Sequence, residues 1–322
     1  MQCGVLGGEL VEEVDEAEEE EVKMVVGMGS YGGKVRVVTG DPWEEIMLLW
    51  GIQQPTLSKH NAFVHQSSLQ LRLDACGRSL SILQSPSSLC GLAELLWCSQ
   101  LVELGVLYVL GWISCSGFCP PCWVFVNRNV FKDKGTPGVT GAVMWDSGVV
   151  LGKFLEHAVE SGMISLRGKK VVELGSGCGL VGCIAALLGA QVILTDLPDR
   201  LRLLKKNVEA NLYGDVRGSA TVNELIWGDQ LDLELITPLP DYVIGSDVIY
   251  SEGAVMDLLA TLIRLCEAQT TIFLAGELRN DAVLEYFLDS AMKEFNIGRV
   301  DQSQWHPDYC TPRVVIYVLV KK

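Results

Sequence analysis

Two stretches of this chain carry residue types that could do chemistry. The first is Val171-Val172-Glu173-Leu174-Gly175-Ser176-Gly177-Cys178-Gly179-Leu180, with an acid, Asp196, seventeen residues beyond Gly179. An apolar run that enters a glycine turn and then a helical pattern lets backbone approach a ligand at the carboxyl edge of a parallel sheet. Asp196, closing the next apolar run, is placed to accept from a ribose diol. Gly177-x-Gly179-x-x-Gly182 also fits the dinucleotide fingerprint, so glycine spacing leaves NAD and S-adenosylmethionine both open. Two features favour the second. A carboxylate at Glu173 repels a pyrophosphate but suits a cationic amino-acid moiety, and the turn lies mid-chain behind a leading helix rather than ahead of a catalytic domain. A glycine turn used only for packing is the bland alternative.

The second stretch is Asp247-Val248-Ile249-Tyr250, directly after the apolar run Tyr242-Val243-Ile244-Gly245-Ser246. Polar residues that end a central strand lie beside whatever occupies the glycine turn. An acid and a phenol three apart could both face one small group, such as an amine. The competing reading is that Asp247 merely caps the next helix. Trp227, in Ile226-Trp227-Gly228-Asp229, could lie beside an adenine ring, although a lone Trp is more often core.

These residues need elements to hold them. From Gly135 onward, strand patterns at 169–174, 191–196, 220–223, 242–246, 271–275 and 313–320 alternate with helical patterns at 147–161, 179–188, 198–211, 254–266 and 282–295. That alternation predicts an α/β fold with a mostly parallel sheet covered on both faces. Ahead of it, Asp41-Pro42-Trp43-Glu44 reads as a helix start, and alternation over 66–84 about Ala75-Cys76-Gly77-Arg78 reads as a β-hairpin. Residues 1–40 read as a disordered acidic and Gly-rich tail, and 41–91 as a helix-and-hairpin extension. Residues 92–134 read as a hydrophobic, Cys-rich insertion foreign to the fold, and 135–322 as the catalytic domain.

Composition excludes several classes. The 322 residues hold 25 Lys and Arg against 40 Asp and Glu, so no basic stripe is available to neutralise nucleic-acid phosphates. Nine of the acids lie within residues 9–21, which leaves the remainder only mildly acidic. Leu104–Val126 is uncharged, but Pro120-Pro121 and its Gly, Ser and Cys positions argue against a membrane span. Cys115-x-x-x-Cys119-x-x-Cys122 matches an iron–sulfur spacing, yet nothing around it builds a barrel mouth, and chance is the better account. Four scattered histidines make a metal centre an unfavoured reading. Eleven cysteines behind an acidic N-terminus predict reduced thiols in the cytoplasm or nucleus.

Taken together, Gly141-x-x-x-Trp145-Asp146, Glu173-Leu-Gly-Ser-Gly-Cys-Gly, Thr195-Asp196, Trp227-Gly228, Ser246-Asp247-Val-Ile-Tyr250 and Glu277-x-Arg279 resemble methyltransferase family 16. These are the seven-β-strand protein-lysine methyltransferases, and the methyltransferase-like 21 group is the nearest resemblance. It implies a class I methyltransferase-like, doubly wound seven-stranded sheet and S-adenosylmethionine as methyl donor. It further implies that Trp145, Gly175, Ser176, Gly177, Asp196, Trp227 and Ser246 contact that donor, with Glu173 beside them, and that Asp247 and Tyr250 line a channel for a lysine side chain. The implied partner is a protein substrate of the chaperone, AAA ATPase or translation-factor class, acted on by a monomer. Two other readings stand beside it: a non-catalytic cofactor-binding interaction module, and an NAD-dependent oxidoreductase on the same glycine turn.

Overall fold

The computed structural model describes residues 24–53, 61–86 and 142–322. The acidic block and the Cys-rich insertion with its Cys115, Cys119 and Cys122 lie outside the described residues. Among the described residues, no helix is long and apolar enough to cross a membrane.

The chain opens with β1 (Met24–Met28), β2 (Tyr31–Val38) and helix α1 (Pro42–Gln53), then the hairpin β3 (Gln70–Ala75) and β4 (Arg78–Leu83). The main domain follows as α2 (Asp146–Glu160), β5 (Lys170–Leu174), α3 (Leu180–Leu187), β6 (Gln191–Asp196) and α4 (Leu201–Asn211). Next come β7 (Ser219–Glu224), α5 (Leu233–Ile236), β8 (Tyr242–Ser246), α6 (Glu252–Leu265), β9 (Thr271–Glu277), α7 (Asp281–Ala291), β10 (Phe295–Val300) and β11 (Val314–Lys321). The sheet runs β1-β2-β10-β11-β9-β8-β5-β6-β7. Strands β5 to β9 pair in parallel, whereas β11 joins β9 antiparallel and β10 and β2 continue that way.

The expected α/β architecture is present, with three corrections. The sheet has nine strands rather than seven, because the hairpin β1–β2 adds to the outer edge of β10. Residues 24–38 are therefore sheet and not tail. Along β2, Tyr31, Gly33 and Val35 are buried while Gly32 and Lys34 face out, and the glycine is a packing requirement. A Cβ at Gly33 would come within 2.2 Å of the Tyr31 hydroxyl and 2.9 Å of the Met163 sulfur. Third, the helical pattern read through Phe295 stops at Ala291, and Phe295 begins β10, a strand paired on both sides. The α1 pattern runs past Gly51 to Gln53, and Asp41 Oδ1 accepts from the Trp43 N–H at 3.0 Å.

Central strands are apolar on both faces because each face is covered. Val172 and Leu174 pack with α1, α6 and α7, whereas Val171 packs with α2, α3 and α4. The hairpin β3–β4 reverses through Cys76 (φ 54) and Gly77 (φ 72), as the turn residues foretold. It docks on α4 through two asparagines: Asn207 exchanges hydrogen bonds with the Leu83 backbone, and Asn211 with that of Ser81. Asn207 also donates to the Cys178 carbonyl at 2.9 Å, which ties the hairpin to the glycine turn.

Residues 84–85 and 142–144 touch, although more than fifty residues separate them in the chain. Ser85 N–H donates to the Ala142 carbonyl at 2.8 Å, and Met144 N–H donates to Gln84 Oε1 at 2.7 Å. The chain therefore returns at 142 to the point it left at 85, and nine of the described strands pair with one another in one sheet. Deleting residues 92–134 is expected to leave the circular dichroism spectrum and S-adenosylhomocysteine affinity unchanged. An insoluble product, or a large loss of helix and strand signal, would show that the segment belongs to the core.

Candidate active site

Strand β5 ends at Leu174 and the chain turns through Gly175 (φ 59), Gly177 (φ 53) and Gly179 (φ 82) before α3 begins. All three are left-handed, a conformation that glycine adopts without strain. A Cβ at Gly175 would lie 3.2 Å from the Trp227 ring, so the indole rests directly against the turn. Ser176 N–H donates to the Thr195 carbonyl at 2.9 Å, and Gly177 N–H to Asp196 Oδ2 at 2.6 Å. The other Asp196 oxygen accepts from the Leu197 N–H at 2.7 Å. Both oxygens are thus aimed by backbone, and each keeps a lone pair for an outside donor. Burial is the main cause that raises the Asp196 carboxyl, opposed by those two N–H bonds and by Arg200.

Glu173 lies one layer down. Its residue is 1% exposed, and a Cβ at Gly182 would fall 2.5 Å from its Oε2. The carboxylate therefore sits enclosed beneath the first turn of α3 rather than open to the cleft. Glu173 Oε2 and Ser176 Oγ are both buried, and the Ser176 hydroxyl and the Gly182 N–H lie close enough to the carboxyl to favour its charged form a little. Burial, reinforced by the Asp196 charge, pushes Glu173 up to about 8 from an ordinary 4.5. The folded protein therefore holds this proton up to about pH 8, while the unfolded chain releases it near 4.5, so stability falls as pH rises between those values. Glu173→Gln cannot titrate there. It is expected to lie close to the wild type at pH 5 and to exceed it by about 4 kcal/mol near pH 8, at about 1.36 kcal/mol per unit, read from thermal melts. Equal pH slopes for the two proteins would refute the buried proton.

A second group gathers at the ends of β8 and β9. Ser246 closes β8, and a Cβ at Gly148 of α2 would lie 3.4 Å from its Oγ. Asp247 follows in a left-handed conformation (φ 59), costly for a non-glycine residue but tolerated best by Asp and Asn. Its N–H donates to the Ala275 carbonyl at 2.8 Å, its Oδ1 accepts from the Glu277 N–H at 3.0 Å, and its Oδ2 pairs with Arg279. The helix-cap reading of Asp247 fails, because Ser251 caps α6 by accepting from the Ala254 N–H. Burial raises the Asp247 carboxyl and the Arg279 charge draws it back.

The Arg279 guanidinium carbon also lies 4.0 Å from the centre of the Trp145 ring. Trp145 precedes α2, and the next residue, Asp146, is fully buried. The Asp146 carboxylate accepts from the backbone N–H groups of Ala62, Phe63 and Val64, and its own N–H donates to Glu277 Oε1 at 2.9 Å. Burial and the neighbouring Asp247 charge push Glu277 up to about 7. Tyr250 is half exposed and leans the other way, its ring centroid 6.1 Å from that of Trp227. Burial, then the Asp196 charge, raises its phenol.

The structure brings Trp145, Ser246 and Asp247 together at one end of the sheet edge, and Gly175, Ser176, Gly177, Asp196, Trp227 and Tyr250 at the other, with Glu173 beneath. The expectation that Asp247 and Tyr250 share one focus is modified: Asp247 is turned towards β9 and Tyr250 towards Trp227. Sequence reasoning left Asp146, Glu277, Arg279 and Arg313 out of the site. The signal was present in Glu277-x-Arg279, but the strand was read as ending at Ala275, two residues short of the acid that β9 carries to its edge.

A family model described as lysine methyltransferase matches residues 128–294. The chain is 45% identical over 160 residues to the protein N-lysine methyltransferase METTL21A of Mus musculus, covering 49% of this chain and 70% of that protein. It is 36% identical over 177 residues to the EEF1A lysine methyltransferase 3 of Xenopus tropicalis, covering 51% and 75%. It is also similar to the solved TehB-like SAM-dependent methyltransferase of Corynebacterium glutamicum, at 16% identity and a TM-score of 0.39, covering 57% of this chain and 91% of that one. The matched residues run from ahead of Trp145 through the glycine turn and Asp247 to the end of α7, and on that footing the chain belongs to the lysine methyltransferase family.

Proposed function

We propose that this protein transfers a methyl group from S-adenosylmethionine to a lysine side chain of a protein substrate. The observation that carries the proposal is the division of one sheet edge into two halves. One is a backbone cradle with Asp196 and Trp227; the other is a carboxylate cluster around Asp247. Membership of the family removes the NAD-dependent oxidoreductase reading and disfavours a silent binding module.

The donor set fits S-adenosylmethionine. Three left-handed glycines open the backbone, and both Asp196 oxygens keep a free lone pair beside them. When bound, the group supplies a methyl already activated on a sulfonium. In this reading Asp196 takes the ribose hydroxyls and Trp227 flanks the adenine. Gly175, Ser176, Gly177, Trp145 and Ser246 complete the pocket, and Glu173 stiffens the turn from below.

The chain's remaining work is to deliver a neutral, aligned amine. A lysine amine has a pKa near 10.4 in water, and removal from water beside a cation favours its neutral form. Asp247, paired with Arg279, orients the amine and accepts its proton. Tyr250, against Trp227, forms the apolar side of the channel. The substrate class we favour is a translation factor of the EEF1A type, because relatives at this similarity carry that activity in their names. The test is label transfer from tritiated S-adenosylmethionine into purified EEF1A and, in parallel, into whole-cell lysate. Labelled lysine in EEF1A supports the full proposal. Labelled lysine only in other lysate proteins overturns the substrate class, and binding of S-adenosylhomocysteine with no labelled lysine in either overturns the activity.

A further inference from the structure

We infer that Arg279 is a positioning residue of this reaction, a single guanidinium that aims the Asp247 carboxylate and braces the Trp145 ring beside it. The inference rests on the reading that Asp247 faces the amine. Arg279 lies two residues beyond β9. Its Nη2 pairs with Asp247 Oδ2, its Nε is 3.9 Å from Glu277 Oε2, and its flat face lies 4.0 Å from the Trp145 ring centre. A guanidinium can serve two carboxylates with its edge and an aromatic ring with its face at once, which an ammonium cannot.

The burial is graded along this chain of contacts. The Arg279 side chain is 39% exposed, whereas the Asp247 and Glu277 carboxylates it meets are 8% and 2% exposed. Asp247 Oδ1 is held by backbone, at the Glu277 N–H; Oδ2 is held by Arg279. The orientation of the second oxygen, in a residue already in a left-handed conformation, thus depends on this side chain. The charges around Asp247 are Glu277 and Arg279 from β9 and its exit, and Asp146 from α2; Arg313, ahead of β11, faces Glu277 at 3.7 Å. Without Arg279, Asp247 keeps the Asp146 and Glu277 charges beside it, while Arg313 pairs with Glu277. Asp247 then takes up a proton at a higher pH, because an opposite charge in contact normally lowers a carboxyl by about 1–3 units.

The experiment compares wild type with Arg279→Gln, Arg279→Lys and Asp247→Asn. The readouts are label transfer into lysate lysine from pH 6 to 9 and S-adenosylhomocysteine affinity by calorimetry. Arg279→Gln is expected to move the acid limb of the rate profile up by about 1 unit, to lower the maximal rate roughly tenfold and to weaken S-adenosylhomocysteine by about 2- to 5-fold. Arg279→Lys keeps the charge but not the flat face, so it should restore the acid limb while leaving the ligand weak. An Arg279→Gln protein with the wild-type limb and wild-type affinity, beside an inactive Asp247→Asn, would overturn the positioning role alone. A fully active Asp247→Asn would overturn the amine-site reading and this inference with it.

Discussion

Asp247→Asn is expected to cut methyl transfer by about 10²–10⁴-fold while leaving S-adenosylhomocysteine affinity nearly unchanged, the range a positioned acid–base group normally contributes. Asn is the right probe for geometric reasons. It is among the few residues that tolerate the left-handed backbone at φ 59, and it keeps an acceptor for the Glu277 N–H. It loses the negative charge that pairs with Arg279 and that would receive the proton of the amine. Ligand affinity should survive because the turn, Asp196 and Trp227 lie on the other half of the sheet edge. Since Ser251 caps α6, a fall in rate cannot be ascribed to a lost helix cap. Turnover and affinity measured on one preparation decide the matter, and full activity would remove Asp247 from the catalytic group.

Asp196→Ala is expected to weaken S-adenosylhomocysteine by on the order of 2–4 kcal/mol, roughly 30- to 1000-fold. Two charge-assisted hydrogen bonds to ribose are lost, and the two backbone N–H groups of Gly177 and Leu197 lose their acceptor, so the turn loosens as well. Asp196→Asn separates these effects. Its carbonyl oxygen can still take the Gly177 N–H and keep the turn in place, but its uncharged amide binds the diol less well. Calorimetry with an affinity within twofold of wild type for Asp196→Ala would refute the ribose assignment, and circular dichroism of the same sample confirms that the sheet is intact.

Much of this molecule was legible in its residues because the signals are local. Apolar runs of five to six residues separated by helical periods specify buried parallel strands, and a strand that meets Gly175-Ser176-Gly177-Cys178-Gly179 has few other conformations open to it. The places of Asp196, at the end of β6, and of Trp227, just beyond β7, were legible for the same reason: the parallel order dictates the neighbours of each strand. The two-residue turn at Cys76-Gly77 needed no partner to be recognised.

What the tertiary structure alone decided concerns groups whose partners are remote in sequence. The Gly-rich residues 31–33 carry no strong strand signal; they begin β2, whose Val35–Val38 pair with β10, and Tyr31 and Met163 fill the space that a side chain at Gly33 would need. Phe295–Val300 becomes strand because it is paired on both sides, by β2 and β11. The charge network of Asp146, Asp247, Glu277, Arg279 and Arg313 spans 168 positions of the chain and assembles only when α2, β8, β9 and the entry to β11 converge. Residue spacing can announce a carboxylate at a strand end. Whether that carboxylate is ionised, where it points and which cation holds it depend on burial and on charges brought in by other elements, and these exist only once the sheet has closed around them.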